Sequence, residues 1–206
     1  LYKRSYLPNH VEFYLRNLPR DIHPMNSLST ALMLCQTSSQ FKKNYGIIPK
    51  DKYWETTYND ILDIIAKLPL IASRIYRYKY HNDYRRIPIN SNLDYSGNFC
   101  QMMGFDNKDF HELIRLYLSI HCDHEGGNAS AHTGHLVSST LADPYISYAS
   151  ALNALAGPLH GSANSEVLKW IIELKNELNK NNLEINKTNI EKFVNKTLDN
   201  GQVIPG

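Results

Sequence analysis

The sequence predicts a mainly α protein, and three observations favour this class. Apolar residues recur at the three- and four-residue spacing of a helix face along most of the chain. Start and stop signals for helices separate these segments. Outside residues 84–94, no stretch alternates apolar and polar residues over five or more positions, so we predict helices throughout and a short strand or a loop at 84–94.

The first half of the chain contains two short predicted helices and one long one. Each short helix is marked by four apolar residues at helical spacing. These are Val11, Tyr14, Leu15 and Leu18, followed by Pro19, for the first helix, and Leu28, Ala31, Leu32 and Cys35 for the second. A long helical segment then runs over 53–80. It contains Pro69, and we expect a kink or a break there because proline has no backbone N–H.

The second half contains four further predicted helices. Asp106 is the predicted N-cap of the first, with an apolar inner face. That face comprises Phe110, Leu113, Ile114, Tyr117 and Leu118. Asp143 and Pro144 form an N-cap with proline at the first helical position, which predicts a helix that runs to Gly157. Apolar residues within 167–178 indicate the next helix. Thr188 and Glu191 form a capping box for the last one, which ends at Asn200 and Gly201.

Composition excludes several classes of protein. The chain has 206 residues, of which 42% are hydrophobic and 20% are charged, as in ordinary globular domains. The net charge is +2 and no basic block is present, which excludes a nucleic-acid partner. No apolar run is long enough for a transmembrane helix. Cys35, Cys100 and Cys122 lack metal-ligand spacing, so we predict reduced, mostly buried thiols of an intracellular compartment.

Histidines accompany very small residues between 121 and 163, and this pattern has three explanations. The small residues indicate close helix packing, or a pocket in which a ligand reaches the backbone. A zinc site is the third explanation, since His121, His124, His132 and His135 lie close in sequence. However, no carboxylate or cysteine stands at a supporting spacing, and the pattern is not H-E-x-x-H. We therefore predict no metal, and hydrogen-bonded structural roles for His132 and His135.

His160 has a different setting. It follows Gly157 and Pro158 in a turn, and a new helix is expected from about Ser162. The partial positive charge of a helix N-terminus disfavours the imidazolium form, so a neutral imidazole is expected. A neutral histidine at such a position can donate an N–H to an oxygen that becomes negative in a transition state. This reasoning permits a catalytic role for His160 without requiring one.

Two blocks of sequence carry a family resemblance, DHEGGNASAHTGHLVSSTLADPY at 123–145 and NALAGPLHGSANSEVLKW at 153–170. Four other segments add to it in the same order. They are LPRDIHPMNSLSTAL, KYWETTYNDILDIIAKLP, NLDYSGNFCQMMGF and ELIRLYLSIHCDHEGG. Together these motifs resemble the citrate synthase family in its mitochondrial eukaryotic form. The resemblance implies a multi-helical fold with most of the large domain's central helices over 1–160 and the beginning of the small domain over 161–206.

The resemblance also implies a function. The family condenses acetyl-CoA with oxaloacetate and water to citrate and CoA, with acetyl-CoA as substrate and no cofactor. His160 matches the histidine that hydrogen-bonds the thioester carbonyl, while His124 and Asn128 match oxaloacetate-binding residues. The residues that resemble the CoA site are Lys50, Leu159, Val203, Ile204 and Gly206. A homodimer in the mitochondrial matrix, with no membrane partner, is expected.

The resemblance further implies that part of the site is missing. In the family, a second histidine, the aspartate that removes the methyl proton and several arginines follow the segment that matches VIPG. We therefore expect an internal fragment without activity of its own. Two alternatives remain open, namely 2-methylcitrate synthase, which takes propionyl-CoA, and a noncatalytic helical dimerisation scaffold. A single methylene in the acyl pocket contributes only about 1–3 kcal/mol to discrimination.

Overall fold

All regular structure in the described part of the chain is helical. A computed structural model describes residues 1–123 and 126–204. The helices are α1 (Asn9–Arg16), α2 (Pro24–Leu34), α3 (Gln40–Asn44), α4 (Tyr53–Tyr76), α5 (Tyr95–Met103), α6 (Lys108–Ile120), α7 (Ala129–Ser138), α8 (Pro144–Leu155), α9 (Ala163–Lys180) and α10 (Lys187–Asp199). Short 3-10 helices cover Tyr2–Arg4, Cys35–Ser38 and Lys50–Lys52. The predicted α class is confirmed, and residues 84–94 form an irregular loop that leads into a turn.

The chain forms two compact units, Leu1–Leu155 and Ala156–Gly206. The core of the first unit lies where α1, α2, α4 and α8 meet. Its fully buried side chains include Val11, Leu15, Leu32, Ile71 and Tyr145. The first two predicted apolar faces supply three of these five side chains, Val11, Leu15 and Leu32, so helical periodicity identified this part of the core correctly.

Helix α4 continues without a break through Pro69. Of the kink or break predicted there, no break occurs, and a contact from another helix explains why. Proline cannot donate to the carbonyl four residues earlier, which belongs to Ile65. The Tyr95 hydroxyl donates to that carbonyl at 3.0 Å. After Tyr76 the helix widens into a π-helical turn, Arg77–His81, and Asn82 ends it with a left-handed φ of 51°.

Two of the predicted N-caps are wrong by one or two residues. Asn107 rather than Asp106 caps α6, where its side chain accepts from the Phe110 N–H at 3.1 Å. Asn186 rather than Thr188 caps α10, where it accepts from the Asn189 N–H at 3.0 Å. Both asparagines have the extended backbone that an N-cap requires, while the predicted capping box at Thr188 falls inside the helix.

The remaining helix boundaries agree more closely with the predictions. Asp143 caps α8, accepting from the Tyr145 N–H at 3.0 Å, and Pro144 is the first helical residue. The helix ends at Leu155, two residues before the predicted Gly157. Asn200 and Gly201 end α10, and Gly201 has a φ of 72°.

The predicted inner face of α6 is only partly correct. Phe110, Ile114 and Leu118 are half-buried, but Leu113 is 58% exposed and Tyr117 is exposed as well. Because the helix packs mainly on α5, its apolar surface is wider than its buried surface.

A lysine is buried completely in the first unit. Lys67 is 0% exposed, and its Nζ lies 3.7 Å from Asp63 and 5.1 Å from the centre of the Tyr6 ring. Its ammonium group has no hydrogen bond among the described residues. Asp63 also pairs with Arg4 at 2.6 Å, so one carboxylate serves two cations.

The cysteines are free thiols. Cys35 and Cys100 are buried as predicted, while Cys122 is exposed.

The second unit is built on α9 and α10. The rings of Trp170 and Phe193 meet edge to face with centres 5.3 Å apart, and Leu178 of α9 is buried. Lys196 bonds both carboxylate oxygens of Glu177, at 2.7 and 2.8 Å. Among all described helices, none combines the length and apolar character needed to cross a membrane.

Candidate active site

The first candidate segment is the glycine-rich loop before α7. His124 and Glu125 lie outside the described residues, so the structure contains no information on His124. Asn128 is the N-cap of α7. Its Oδ1 accepts from the Ala131 N–H at 2.9 Å and from the Ser130 hydroxyl at 2.8 Å. The predicted ligand Asn128 therefore has a structural role that sequence reasoning did not identify.

Small residues in this region have two distinct surroundings. A Cβ added to Gly134 would meet the Cβ of Ala151 at 3.5 Å, so α7 and α8 pack closely through small side chains. Gly126 and Gly127 differ, because no atom of the described residues lies within 4 Å of a Cβ built at either position. Close packing thus accounts for Gly134, while the open space beside the other two glycines is compatible with an approaching ligand.

The second candidate segment is the turn that carries His160, at the start of the second unit. The His160 and Gly161 N–H groups both donate to the Gly157 carbonyl, at 3.0 and 3.2 Å. Ser162 follows as the N-cap of α9 and makes no side-chain capping hydrogen bond. The half-buried His160 therefore precedes the N-terminus of an 18-residue helix, as the sequence predicted.

Three of the five residues predicted at a CoA site are exposed. Lys50 begins a 3-10 helix in the first unit and is exposed. Leu159, beside His160, is fully exposed, and Val203 is 85% exposed. Ile204 is half-buried after α10, and Gly206 lies outside the described residues. Of the predicted site residues, Leu159 and His160 are neighbours in one turn.

The other histidines have surroundings typical of structural residues or of the surface. His111 is buried and bonds the Phe105 carbonyl at 3.0 Å, and the His23 ring caps α2. His132 and His135 are exposed on α7, and the described part of the chain shows no hydrogen bond to either imidazole, so the predicted hydrogen-bonded role is not observed there. Within 1–123 and 126–204 there is no group of three metal-ligating side chains.

An apolar groove in the first unit was not predicted. It has a volume of about 710 Å³ and lies between α7, α8 and the first half of α4. Ile61, Leu152 and Leu155 form apolar walls, while His135 and Tyr148 provide polar groups. Burial raises the pKa of Tyr148. Periodicity could not predict the groove, because it depends on how three helices pack rather than on any one of them.

The fold and the site define a class of protein, namely a multi-helical protein in which a turn that carries a histidine precedes a long helix. The family model described as citrate synthase, C-terminal domain, matches residues 1–206. The chain belongs to the citrate synthase family, and the resemblance stated from its motifs is confirmed.

Relatives and solved structures agree with this assignment. A protein of Glossina morsitans morsitans named probable mitochondrial citrate synthase is 49% identical over 204 residues, covering 98% of this chain and 43% of the relative. Mitochondrial citrate synthase of Kajikia audax is 48% identical over 205 residues, covering 99% and 43%. The crystal structure of citrate synthase from Pyrobaculum aerophilum superposes with a TM-score of 0.72 at 31% identity, covering 82% of this chain and 42% of that one. The chain therefore spans less than half the length of these relatives.

Proposed function

We propose that this chain is part of a citrate synthase, an acyltransferase that condenses acetyl-CoA with oxaloacetate and water to give citrate and CoA. The observation that carries the proposal is the family match over all 206 residues. Within the proposal, residues 1–160 are part of the large domain and residues 161–206 begin the small domain. Acetyl-CoA is a substrate, and no cofactor is required.

His160 is the proposed electrophile. Its N–H donates a hydrogen bond to the thioester carbonyl of acetyl-CoA, whose oxygen becomes negative when the methyl group loses a proton. The position of His160 before α9 supports this role, since the positive end of a helix dipole stabilises negative charge that develops nearby. Loss of one preorganised oxyanion donor of this kind costs about 2.7–4 kcal/mol in the transition state.

His124 and Asn128 are the proposed oxaloacetate ligands. Oxaloacetate is a dianion, and a helix N-terminus attracts anions through its exposed N–H groups and its dipole. Asn128 stands at the N-terminus of α7, which supports this placement. The open space beside Gly126 and Gly127 also supports it, because a ligand can approach the backbone there.

Lys50, Leu159, Val203, Ile204 and Gly206 are the proposed contacts to CoA. A lysine suits phosphate groups as a compact positive charge, and Lys50 is exposed as this role requires. Leu159 and Val203 have largely exposed apolar side chains, which suit contact with the apolar parts of CoA.

We further propose that the complete protein is a homodimer of the mitochondrial matrix. Its relatives are named mitochondrial citrate synthases, which supports the location. Exposed apolar side chains support the dimer. On α4 these side chains lie on one helix face and comprise Trp54, Tyr58, Ile61 and Ile65. On α6 they comprise Leu113, Leu116, Tyr117 and Ile120. Surfaces of this kind mark interaction sites.

The proposal is tested on the longer protein that contains this chain. His160→Ala is expected to lower kcat by about two orders of magnitude or more while the affinity for oxaloacetate changes little. His81→Ala is the matched control, because His81 is an exposed histidine outside the proposed site. Collapse of oxaloacetate affinity with normal turnover would contradict the role of His160.

Two further measurements define the reaction. The ratio of kcat/KM for acetyl-CoA and propionyl-CoA distinguishes citrate synthase from 2-methylcitrate synthase, and we expect acetyl-CoA to be preferred. The isolated 206-residue chain is expected to release no CoA from acetyl-CoA and oxaloacetate. Enzyme-like release by the isolated chain would contradict the assignment of further catalytic groups to the rest of the protein.

A further inference from the structure

Four arginines converge on one small cleft of the first unit. Arg74 and Arg77 belong to the end of α4 and the π-helical turn, whereas Arg85 and Arg86 belong to the loop that follows. The left-handed Asn82 reverses the chain between the two pairs, which brings the loop arginines back to the helix end. The other lining side chains are Ser73, Ile87 and Met102.

Charges in the cleft are only partly compensated. Glu12 pairs with Arg74 at 2.7 Å, and Asp83 pairs with both Arg77 and Arg85. Two carboxylates therefore face four guanidinium groups, which leaves an excess of positive charge. Arg86 is exposed and has no ion-pair partner among the described residues.

The arginines differ in how firmly they are held. Arg77 is 4% exposed, and it donates to the Arg85 carbonyl at 2.8 Å as well as to Asp83. Arg85 holds Asp83 with two donors, at 2.8 and 2.9 Å. The inner wall is therefore fixed before any ligand arrives, and the guanidinium of Arg86 supplies uncommitted donors at the rim. A preorganised set of donors loses less entropy when it binds an anion.

We propose that this cleft binds a tetrahedral oxyanion of the phosphate class. The planar fork of a guanidinium matches the oxygens of a phosphate group, and several arginines around one cleft are typical of phosphate recognition. The free volume inside the cleft is about 10 Å³, enough for one water-sized group. It therefore takes a phosphate oxygen, while the remainder of the ligand stays at the rim beside Arg86.

The cleft shares no lining residue with the proposed active site. The cleft is not lined by His160, Asn128 or Lys50. Binding there is therefore a property of this chain that goes beyond the condensation reaction, and it can be measured without turnover.

Isothermal titration of the 206-residue chain with inorganic phosphate at low ionic strength tests the proposal. We expect saturable binding with one phosphate per chain. Arg86→Gln is expected to weaken the affinity about tenfold, since it removes a charge-assisted contact and not a core residue. Arg86→Lys is expected to give an intermediate affinity, because it keeps the charge but loses the fork.

Lys3→Gln is the matched control. Lys3 is exposed and outside the cleft, and its replacement changes the net charge by the same amount. An unchanged affinity in Arg86→Gln, or an equal loss in Lys3→Gln, would overturn the proposal. Methyl phosphate serves as a second ligand. Equal binding of both ligands assigns the site to a phosphoryl group on a larger molecule, whereas binding of inorganic phosphate alone assigns it to the free anion.

Discussion

The hydroxyl of Tyr95 donates to the carbonyl of Ile65 at 3.0 Å, and this carbonyl is the one that Pro69 leaves without its helical partner. A tyrosine phenol keeps its proton at neutral pH and can donate, and burial raises the pKa of Tyr95 further, to about 12. A side chain on α5 thus supplies a hydrogen bond that the backbone of α4 cannot make.

Tyr95→Phe is expected to lower the free energy of unfolding by about 1 kcal/mol, because a carbonyl loses its partner. In a Pro69→Ala background, residue 69 regains an N–H for the Ile65 carbonyl. Tyr95→Phe should therefore lower the free energy of unfolding clearly less in that background. Urea unfolding of the four proteins of this double-mutant cycle, namely the unsubstituted chain, the two single variants and the double variant, measures the difference. Equal costs in both backgrounds would contradict the compensation.

Asn107→Ala is expected to lower the free energy of unfolding by about 1 kcal/mol through loss of the α6 cap. Asp106→Ala is the matched control and should change it by no more than about 0.5 kcal/mol. Chemical denaturation of both variants provides the comparison. A larger effect at Asp106 would restore the cap predicted from sequence.

Gly134→Ala is expected to stabilise the chain by about 0.4–1 kcal/mol, because alanine favours the helix and its Cβ would meet Ala151 at an ordinary 3.5 Å. Gly97→Ala should not stabilise the chain, since the new Cβ would lie 3.1 Å from the Asp94 oxygen that caps α5. Thermal unfolding of the pair checks this prediction, and a lower melting temperature for Gly134→Ala would contradict it.

Cys122 is expected to be the thiol that reacts first with a disulfide reagent at pH 8. It is exposed, whereas Cys35 is buried and burial raises its pKa to about 11, against a small opposing effect of Lys67. Cys122→Ser should abolish the fast phase of the reaction, and Cys35→Ser should leave it unchanged. Persistence of the fast phase in Cys122→Ser would refute this assignment.

Asp83 is expected to stabilise the chain at neutral pH and to lose this effect in acid. Hydrogen bonds from Arg85 and then from Arg77 hold the pKa of its carboxyl well below the usual range. A lowered folded-state pKa stabilises above the unfolded value of about 4 and ceases to do so as pH falls through the folded value. Asp83→Asn should therefore be less stable at pH 7, with a smaller deficit at pH 3.

Urea midpoints at the two pH values measure this change. Asp21→Asn is the control, since Asp21 is exposed and has no ion pair among the described residues. A deficit that stays constant with pH would show that Asp83 acts without its charge.

Local patterns in the sequence predicted most of the helices, though not α3, α5 or α7, and they did not predict the contacts that complete these helices. Apolar spacing identified α1, α2 and α4 because it reflects burial of one helix face. The continuity of α4 through Pro69 depends on Tyr95, thirty positions from Ile65, and no local pattern encodes that contact. The choice of Asn107 over Asp106 depends on backbone angles that neighbouring residues set together.

The candidate site was predicted to a similar extent. Family motifs assigned site roles to His160 and Asn128, which stay predictions, whereas the capping role of Asn128 emerged only from its contacts. The arginine cleft was not predicted at all. It depends on the chain reversal at Asn82, which places residues from separate segments side by side.

Lys67 makes the interior of the first unit accessible to covalent footprinting. Amine-reactive esters modify exposed lysines directly, but they reach a completely buried ε-amino group only when the surrounding helices open. The rate at which Lys67 is modified, followed by peptide mass spectrometry, therefore reports how often this core opens in native conditions, without any denaturant.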